Sequence, residues 1–217
     1  MSNQSDNILV IDIEATCWES KIPEGQKNEI IEIGICVLDT TTYQRVTTDS
    51  LIVKPVSEIS EFCTGLTTLT PAYVEQGISL KEACERLQTQ YLSKQCTWAS
   101  YGAYDRKQFK RECREKGIDY PFSEEHINVK QLFANTLHLK KPVGMASALK
   151  KLDFPLEGTH HRGVDDAWNI ANIRCTIIWQ TLRNFLGHHF GKKHAARRSQ
   201  KIDRNRFTRR TSPSLQQ

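Results

Sequence analysis

Two carboxylates interrupt an apolar segment near the N-terminus of this 217-residue chain, in the stretch ILVIDIEAT over residues 8–16. Side chains alternate along a strand, so Asp12 and Glu14 share one face, and apolar side chains occupy both faces before them. Such a strand is covered on both sides, and two like charges at its end require a cation nearby. A divalent metal ion meets that requirement. The alternative is that the strand ends earlier and water surrounds both acids.

A second acidic pair opens the last predicted helix, in THHRGVDDAWNIANI over residues 159–173. Asp166 lies four residues before Ile170 and shares the apolar face of that helix, where a carboxylate again indicates a metal ion or a substrate. Asp165 points away from that face. Its place in the first turn is explained by the helix dipole, which stabilises a carboxylate there by about 0.3–1 kcal/mol.

A third acid, Asp105, stands in SYGAYDRKQF over residues 100–109, after a short predicted strand and at the start of a helix. Ligands of open α/β sheets bind beyond the ends of strands, so this position is a candidate for the same site. An N-cap role for Asp105 is the alternative.

These acids need a sheet to position them. Apolar patterning predicts strands over residues 8–15, 30–38 and 51–53, and shorter ones over residues 96–100 and 127–129. A capping box of Ser79 and Glu82 starts the first predicted helix. Further helices are predicted over residues 104–116, after residue 129, over residues 145–152 and over residues 164–185. Strands first, then strands alternating with helices, predict an α/β fold with a mixed sheet and helices on its faces.

Length and composition predict one domain outside any membrane. The chain is 38% hydrophobic, which suffices for a substantial core. No apolar run approaches the roughly 18 residues of a membrane span. The seven cysteines are scattered and include no C-x-x-C pair, which favours a reducing compartment, so we expect a cytoplasmic protein.

The net charge of +5 is unevenly distributed. Residues 187–217 contain nine Lys and Arg against one Asp, whereas residues 1–186 contain 21 basic and 24 acidic side chains. The final segment has few apolar residues and no periodicity, so we expect a basic, disordered tail. Flexible cations attract phosphates without sequence preference, which makes the tail a candidate for nonspecific nucleic-acid contact.

The three acidic segments together resemble those of DEDDh exonucleases of the DnaQ-like superfamily. The matching motifs are D-x-E in DIEAT, the aspartate of YGAYD, and H-x-x-x-x-D in HRGVDD. The segments DIEATCW, EIIEIG, FCTGLTTLT, INVKQLF and GMASALKKL resemble more closely the Eri subgroup, 3′ exonucleases of histone messenger RNA ends and small RNAs, and its small bacterial relatives. The resemblance implies a ribonuclease H-like α/β fold, with a mixed five-stranded sheet flanked by helices, in an exonuclease domain of residues 7–186.

The resemblance also assigns roles to residues. Four acids are implied as metal ligands, namely Asp12, Glu14, Asp105 and Asp166. His161, five residues before Asp166, is implied as the catalytic histidine. The related branch that uses tyrosine would need it four residues before Asp166, where this sequence has Arg162. His160 is the competing histidine, and its alternative interpretation is a loop residue with no task.

The implied chemistry is a two-metal phosphoryl transfer. Two Mg²⁺ or Mn²⁺ ions about 3.5–4 Å apart stabilise the attacking and leaving oxygens, and hard cations prefer carboxylate ligands. Glu14 would serve catalysis as well as metal binding. Histidine titrates near neutrality, so His161 is suited to act as general base for the attacking water. Its position in a loop would let it swing in with the substrate.

The resemblance further implies that apolar side chains hold the terminal base. The matching positions are Phe62 and Leu66, with Tyr104 beside the third acid, and Ala15 and Thr16 are further substrate-binding candidates. Stacking accepts the face of any base and gives little sequence preference. The alternative for Phe62 and Leu66 is burial in an ordinary core.

The expected function is a metal-dependent 3′–5′ exonuclease that releases nucleoside 5′-monophosphates from single-stranded RNA or a structured RNA 3′ end. A DNA 3′–5′ exonuclease and a noncatalytic nucleic-acid-binding protein are the alternatives, and no single residue separates RNA from DNA. Four cations share a face of the predicted helix over residues 104–116 and either contact the substrate backbone or form a solvated surface: Lys107, Lys110, Arg111 and Arg114.

Overall fold

The computed structural model describes residues 7–177. Its strands are β1 (Asn7–Ala15), β2 (Ile30–Asp39), β3 (Arg45–Ile52), β4 (Thr97–Ser100) and β5 (His126–Asn128). Its helices are α1 (Glu61–Thr67), α2 (Pro71–Val74), α3 (Leu80–Gln90), α4 (Tyr104–Lys116), α5 (Val129–Thr136) and α6 (Met145–Lys151). A last helix, α7, covers residues 163–177. The predicted domain boundary at residue 186 and the basic segment 187–217 lie outside the described residues.

The five strands form one mixed sheet, as predicted, and their order, which was not predicted, is β3-β2-β1-β4-β5. β1 is central. It runs antiparallel to β2 and parallel to β4, and β5 continues the parallel half. The ladder with β2 runs along the whole of β1, whereas the ladder with β4 covers Ile8–Val10, so β2 supports the carboxyl end of β1 that carries the acids.

The alternation of side chains along β1 divides the core into two layers. Leu9, Ile11 and Ile13 pack with α3 and α4 on one face of the sheet. Ile8 and Val10 pack with α5, α6 and α7 on the other face. Asp12 and Glu14 continue the second series, so they point toward the layer that contains α7.

Two differences from the predicted elements have physical reasons. β3 is longer than predicted, because it is an edge strand in which residues 45–50 are polar except Val46 and none is buried, so apolar alternation is absent. α1 and α2 were not predicted, because seven and four residues are too short to display a helical period. Their N-caps, Ser60 and Thr70, were the available signal.

The predicted helix ends are confirmed for α3 and α4. Ser79 caps α3 by accepting a hydrogen bond from the backbone of Glu82 at 3.1 Å, and Gly117 ends α4 in a left-handed conformation. All seven cysteines lie within the described residues as free thiols. Over residues 7–177, no helix combines the length and apolar character of a membrane span.

Candidate active site

Three carboxylates converge where β1 meets α7. One oxygen from each of Asp12, Glu14 and Asp166 lies within 4.8 Å of the other two. The first two come from the end of β1 and the third from the first turn of α7, as the sequence predicts. Glu14 and Asp166 are only 9% and 5% exposed, and the strand continues to Ala15. The alternative of an early strand end with both acids in water is therefore wrong.

Asp105, the fourth predicted metal ligand, is not part of this group of three, although its charge acts on Asp12 and it has further contacts. Its carboxylate accepts a hydrogen bond from the backbone of Ile13 at 3.2 Å and another from Ser100. The N-cap of α4 is Ala103, without a side-chain hydrogen bond. The N-cap alternative for Asp105 is therefore wrong, because the carboxylate bonds to β1 from a position inside the helix.

The close carboxylates disfavour each other's ionisation. Burial, followed by the charges of Asp105 and Asp166, raises the pKa of Asp12 well above its ordinary value. Burial and then Asp166 raise the pKa of Glu14 to about 8. Burial also raises the pKa of Asp105 to about 6. A divalent cation would favour the ionised forms, so the donor set fits a hard metal ion bound by oxygen ligands.

Both candidate histidines lie beside Asp166. The His160 ring contacts the two carboxylate oxygens through Nδ1, at 3.0 and 3.2 Å. The His161 backbone donates to the same carboxylate at 3.1 Å, and the two imidazole rings stack with centroids 4.0 Å apart. The interpretation of His160 as a loop residue with no task is wrong, because its ring bonds to a proposed metal ligand.

Residues 157–162, which contain both histidines, form the loop before α7 and are called the histidine loop. Two side chains whose contacts were not predicted tie this loop to α7. The Asp165 carboxylate accepts a hydrogen bond from the backbone of Thr159 at 2.7 Å, so its role extends beyond the helix dipole. The Asn169 side chain bonds to both the N–H and the carbonyl of Glu157. These bonds fix the start of the loop against the helix that carries Asp166.

The sequence did not indicate two further residues, Ser100 and His126, which follow Asp105 in a series of side-chain hydrogen bonds. Ser100 lies between Asp105 and His126, whose Nε2 is 2.9 Å from the Ser100 hydroxyl. Burial, with the nearby charges of Arg106 and Lys110, lowers the pKa of His126 to about 4, so its imidazole is neutral at physiological pH. No motif indicated this contact, because it depends on the parallel pairing of β4 with β5.

The apolar side chains implied for base binding are exposed. Phe62, Leu66 and Tyr104 are 44%, 36% and 53% exposed, so the buried-core alternative for Phe62 and Leu66 is wrong. The first two lie four residues apart on one face of α1. Ser60 fastens that helix to the segment after β1 by donating to the carbonyl of Cys17 at 2.6 Å.

Ala15 and Thr16 are buried. The Thr16 hydroxyl donates to the carbonyl of Lys27 at 2.8 Å and accepts from the backbone of Glu29 at 2.9 Å. The carbonyl of Thr16 accepts from Asn28. The hydroxyl and the carbonyl of Thr16 are therefore both hydrogen-bonded within the protein. Direct contact of Ala15 or Thr16 with a substrate stays a prediction.

The family model described as Exonuclease, of the RNase T type, matches residues 9–174. Curated proteins similar to this chain include 3′-5′ exoribonuclease 1 of Rattus norvegicus, 32% identical over 185 residues that cover 80% of this chain and 53% of the relative. ERI1 exoribonuclease 3 of Homo sapiens is 29% identical over 184 residues, covering 79% of this chain and 53% of the relative. The chain spans about half the length of these relatives.

Among solved structures, the nuclease domain of 3′hExo, a DEDDh family member bound to rAMP, superposes with a TM-score of 0.73. It is 28% identical, and the match covers 81% of this chain and 92% of that one. Cell-death related nuclease 4 superposes with a TM-score of 0.67 at 20% identity, which shows a shared fold. Since the family match contains every acid and histidine of the site, this chain belongs to the exonuclease family and has the ribonuclease H-like fold of its DEDDh members.

Proposed function

We propose that this protein is a metal-dependent exoribonuclease that removes nucleotides from the 3′ end of RNA. The observation that carries the proposal is the cluster of Asp12, Glu14 and Asp166, of which Glu14 and Asp166 are buried, beside two histidines. The names of the similar curated proteins and the bound nucleotide of the 3′hExo nuclease domain support the reaction class.

The acids would hold divalent cations, with Mg²⁺ or Mn²⁺ as the expected ions and two per site. Asp12, Glu14 and Asp166 are placed to bind them directly, and Asp105 adds negative charge from the start of α4. Bound cations would supply charge stabilisation for the attacking and leaving oxygens of phosphodiester hydrolysis. The structure of Pop2p of S. pombe is described in a Mg²⁺- and Mn²⁺-bound form, and at 15% identity it shares the fold.

His161 is the proposed general base for the attacking water. Burial, with the neighbouring His160 ring, lowers its pKa below the ordinary value, so its imidazole is neutral at pH 7 and able to accept a proton. The bond from its backbone N–H to Asp166 places the residue at the edge of the carboxylate cluster. His160 would orient Asp166 through its own ring bond.

The terminal nucleotide would bind between α1 and the start of α4. Phe62, Leu66 and Tyr104 expose apolar surface suited to stacking on a base of any sequence. The Tyr104 hydroxyl donates to Asn28 at 3.0 Å, which holds its ring in place at the start of α4. We therefore expect little discrimination among terminal bases.

RNA is the proposed substrate. The match to curated exoribonucleases supports it, and one similar structure, at 28% identity, is described as 3′-end recognition of a histone mRNA stem-loop. A structured RNA 3′ end is therefore a candidate along with single-stranded RNA. DNA exonuclease activity is the second candidate, and a noncatalytic binding protein is disfavoured because the four acids and both histidines are present.

Nuclease assays on paired substrates test this proposal. A 3′-labelled RNA and the DNA of the same sequence are incubated with Mg²⁺ and the wild-type protein, Asp12→Asn, or the control Asp119→Asn. Asp119 pairs with Lys94 at the surface. We expect nucleoside 5′-monophosphates from RNA with wild type and control and none with Asp12→Asn. Equal activity of Asp12→Asn would contradict the site, and faster DNA degradation would contradict the substrate.

A further inference from the structure

A buried carboxylate on β2 lies next to the three-carboxylate cluster. Glu32 lies directly opposite Glu14 in the antiparallel register and is 0% exposed. Its oxygens accept four hydrogen bonds, from Arg162 Nε at 3.1 Å, Arg162 Nη2 at 3.2 Å, the Gly163 backbone at 2.9 Å and the Ser50 hydroxyl at 2.7 Å. The carboxylate is therefore fully paired within the protein.

The main partner of Glu32 comes from the histidine loop. Arg162 directly follows His161, and its carbonyl accepts the backbone hydrogen bond of Asp166 at 2.8 Å in the first turn of α7. Its guanidinium binds Glu32 through two nitrogens, a fork geometry that fixes direction as well as distance. Arg162 thus connects β2, through its side chain, to the proposed base and the proposed metal ligand, through its backbone.

The backbones at this contact lie too close for any side chain. A Cβ atom at Gly34 would lie 1.9 Å from the carbonyl carbon and oxygen of Gly163. The backbone at the start of α7 therefore contacts the backbone of β2 directly. The Glu32–Arg162 ion pair joins the same two segments. This leaves little freedom for the loop that precedes α7.

We propose that Arg162 is a positioning residue, which holds His161 and Asp166 in register with Glu14 through its bidentate pair with Glu32. The inference rests on the proposed exonuclease function for its kinetic consequence. The Arg162 charge also opposes the effect of Glu32 on Glu14, because Glu32 raises the Glu14 pKa and Arg162 lowers it. Arg162 acts through these neighbours and not through the substrate.

Steady-state kinetics on a short 3′-labelled RNA test the inference with Arg162→Met, Glu32→Gln and the double variant. Each single change should lower kcat by about 10- to 100-fold and leave KM within about threefold, as for other groups that orient catalytic ligands. The double variant should be no worse than the poorer single variant, because both changes remove one interaction. It removes both members of the buried ion pair, so it remains informative if a single variant unfolds.

Arg86→Met is the matched control, because Arg86 forms an ion pair with Glu82 on α3, at the protein surface. It should keep wild-type kcat and KM. A raised KM in Arg162→Met with Glu32→Gln unaffected would overturn the inference and indicate contact with substrate phosphate. Additive losses in the double variant would overturn it as well.

Histidine NMR gives a readout that is independent of activity. The imidazole signals of His160 and His161 report on their ring stack, and they should change in Arg162→Met and Glu32→Gln but not in Arg86→Met. Unchanged signals in both would overturn the inference whatever the kinetics show. A wild-type protein that degrades neither RNA nor DNA would instead contradict the proposed function, while the NMR comparison would still test the role of Arg162.

Discussion

Asp12 and Glu14 occupy positions where their charges work against folding. Their pKa values are raised by burial first and by neighbouring carboxylates second, so ionising them at neutral pH destabilises the folded state. A bound cation would offset this cost, because it favours the ionised carboxylates. The sequence indicated such a site from residue types, because two acids at the end of an otherwise apolar strand favour a metal ion nearby.

We expect Asp12→Asn to raise the melting temperature of the protein in EDTA by about 2–4 °C, the shift that about 1 kcal/mol produces in a chain of this size. The reason is that folding no longer has to bury an ionisable carboxyl group, which burial and the neighbouring carboxylates disfavour in its charged form. Added Mg²⁺ should raise the melting temperature of the wild type more than that of the variant, because binding to the folded state stabilises it. Calorimetry with and without Mg²⁺ measures both, and an unchanged or lower melting temperature in EDTA would contradict the electrostatic argument.

We expect substitutions of the two histidines to have different effects on the kinetics of hydrolysis. His161 has a φ of 64°, so asparagine, which tolerates the left-handed region, is the suitable replacement. We expect His161→Asn to lower kcat by about 10²- to 10⁴-fold, the usual contribution of a general base. His138→Asn is the matched control, since this histidine has a φ of 52° and lies outside the site. Full activity of His161→Asn in single-turnover assays would remove its proposed role.

His160→Asn should have a different effect, because the His160 ring bonds to Asp166. We expect a rise of about 10-fold or more in the Mg²⁺ concentration that gives half-maximal activity, with a smaller change in kcat at saturating Mg²⁺. A Mg²⁺ titration of the rate checks this. A reduction of kcat as large as that of His161→Asn, with unchanged Mg²⁺ dependence, would exchange the two roles. The spacing to Asp166 singled out His161 in the sequence, but no pattern indicated the ring bond of His160 to Asp166.

At the scale of elements, the long apolar strands and the amphipathic helices were predictable, and the contacts between them were not. β1 and β2 are recognisable by their continuous apolar residues, and α3 by its N-cap. The Asp105–Ile13 bond, by contrast, joins residues 92 positions apart. It arises from the way α4 packs after β4, which local pattern does not encode.

Glu29 also makes contacts with residues that are distant in the sequence. It is 4% exposed and accepts hydrogen bonds from the backbones of Val56 and Ser57 at 3.0 and 2.6 Å, and from Lys116 at 2.8 Å. Burial raises its pKa, but the bonds from Lys116 and Ser57 lower it more, so the pKa lies below its ordinary value. Glu29 thereby fastens the loop after β3 to the end of α4.

We expect Glu29→Gln to lower the free energy of unfolding by about 1–3 kcal/mol at neutral pH. A carboxylate whose folded pKa is lowered stabilises the protein above its unfolded pKa, and this contribution is lost as pH falls through the folded pKa. The difference between wild type and variant should therefore shrink below about pH 4.5. Urea unfolding at several pH values measures it, with Glu19→Gln at an exposed position as control. A difference that grows on acidification would contradict the assigned bonds.

At the scale of the whole molecule, the exonuclease family match covers residues 9–174, and the excess positive charge lies in the sequence beyond it. Residues 187–217 carry nine Lys and Arg against one Asp. We propose that they attract RNA to an otherwise acidic domain. Their effect should depend on salt, since neutralising phosphates releases counterions.

Truncation before Gly187 should weaken binding to long RNA and flatten its salt dependence. For each phosphate that the truncated protein no longer neutralises, the slope of log affinity against log salt should fall by about 0.7, as expected for single strands. Hydrolysis of a short RNA should change little, since the site lies within residues 12–166. Fluorescence anisotropy over a range of KCl concentrations measures the slope. Unchanged binding of long RNA at every concentration would refute the role of this segment.

The acids that converge at the end of β1 come from distant parts of the chain, since Asp166 follows Asp12 by about 150 residues. During synthesis, Asp12 and Glu14 leave the ribosome long before α7 exists. A nascent chain therefore cannot assemble the three-carboxylate cluster until α7 has been synthesised and has docked on the sheet.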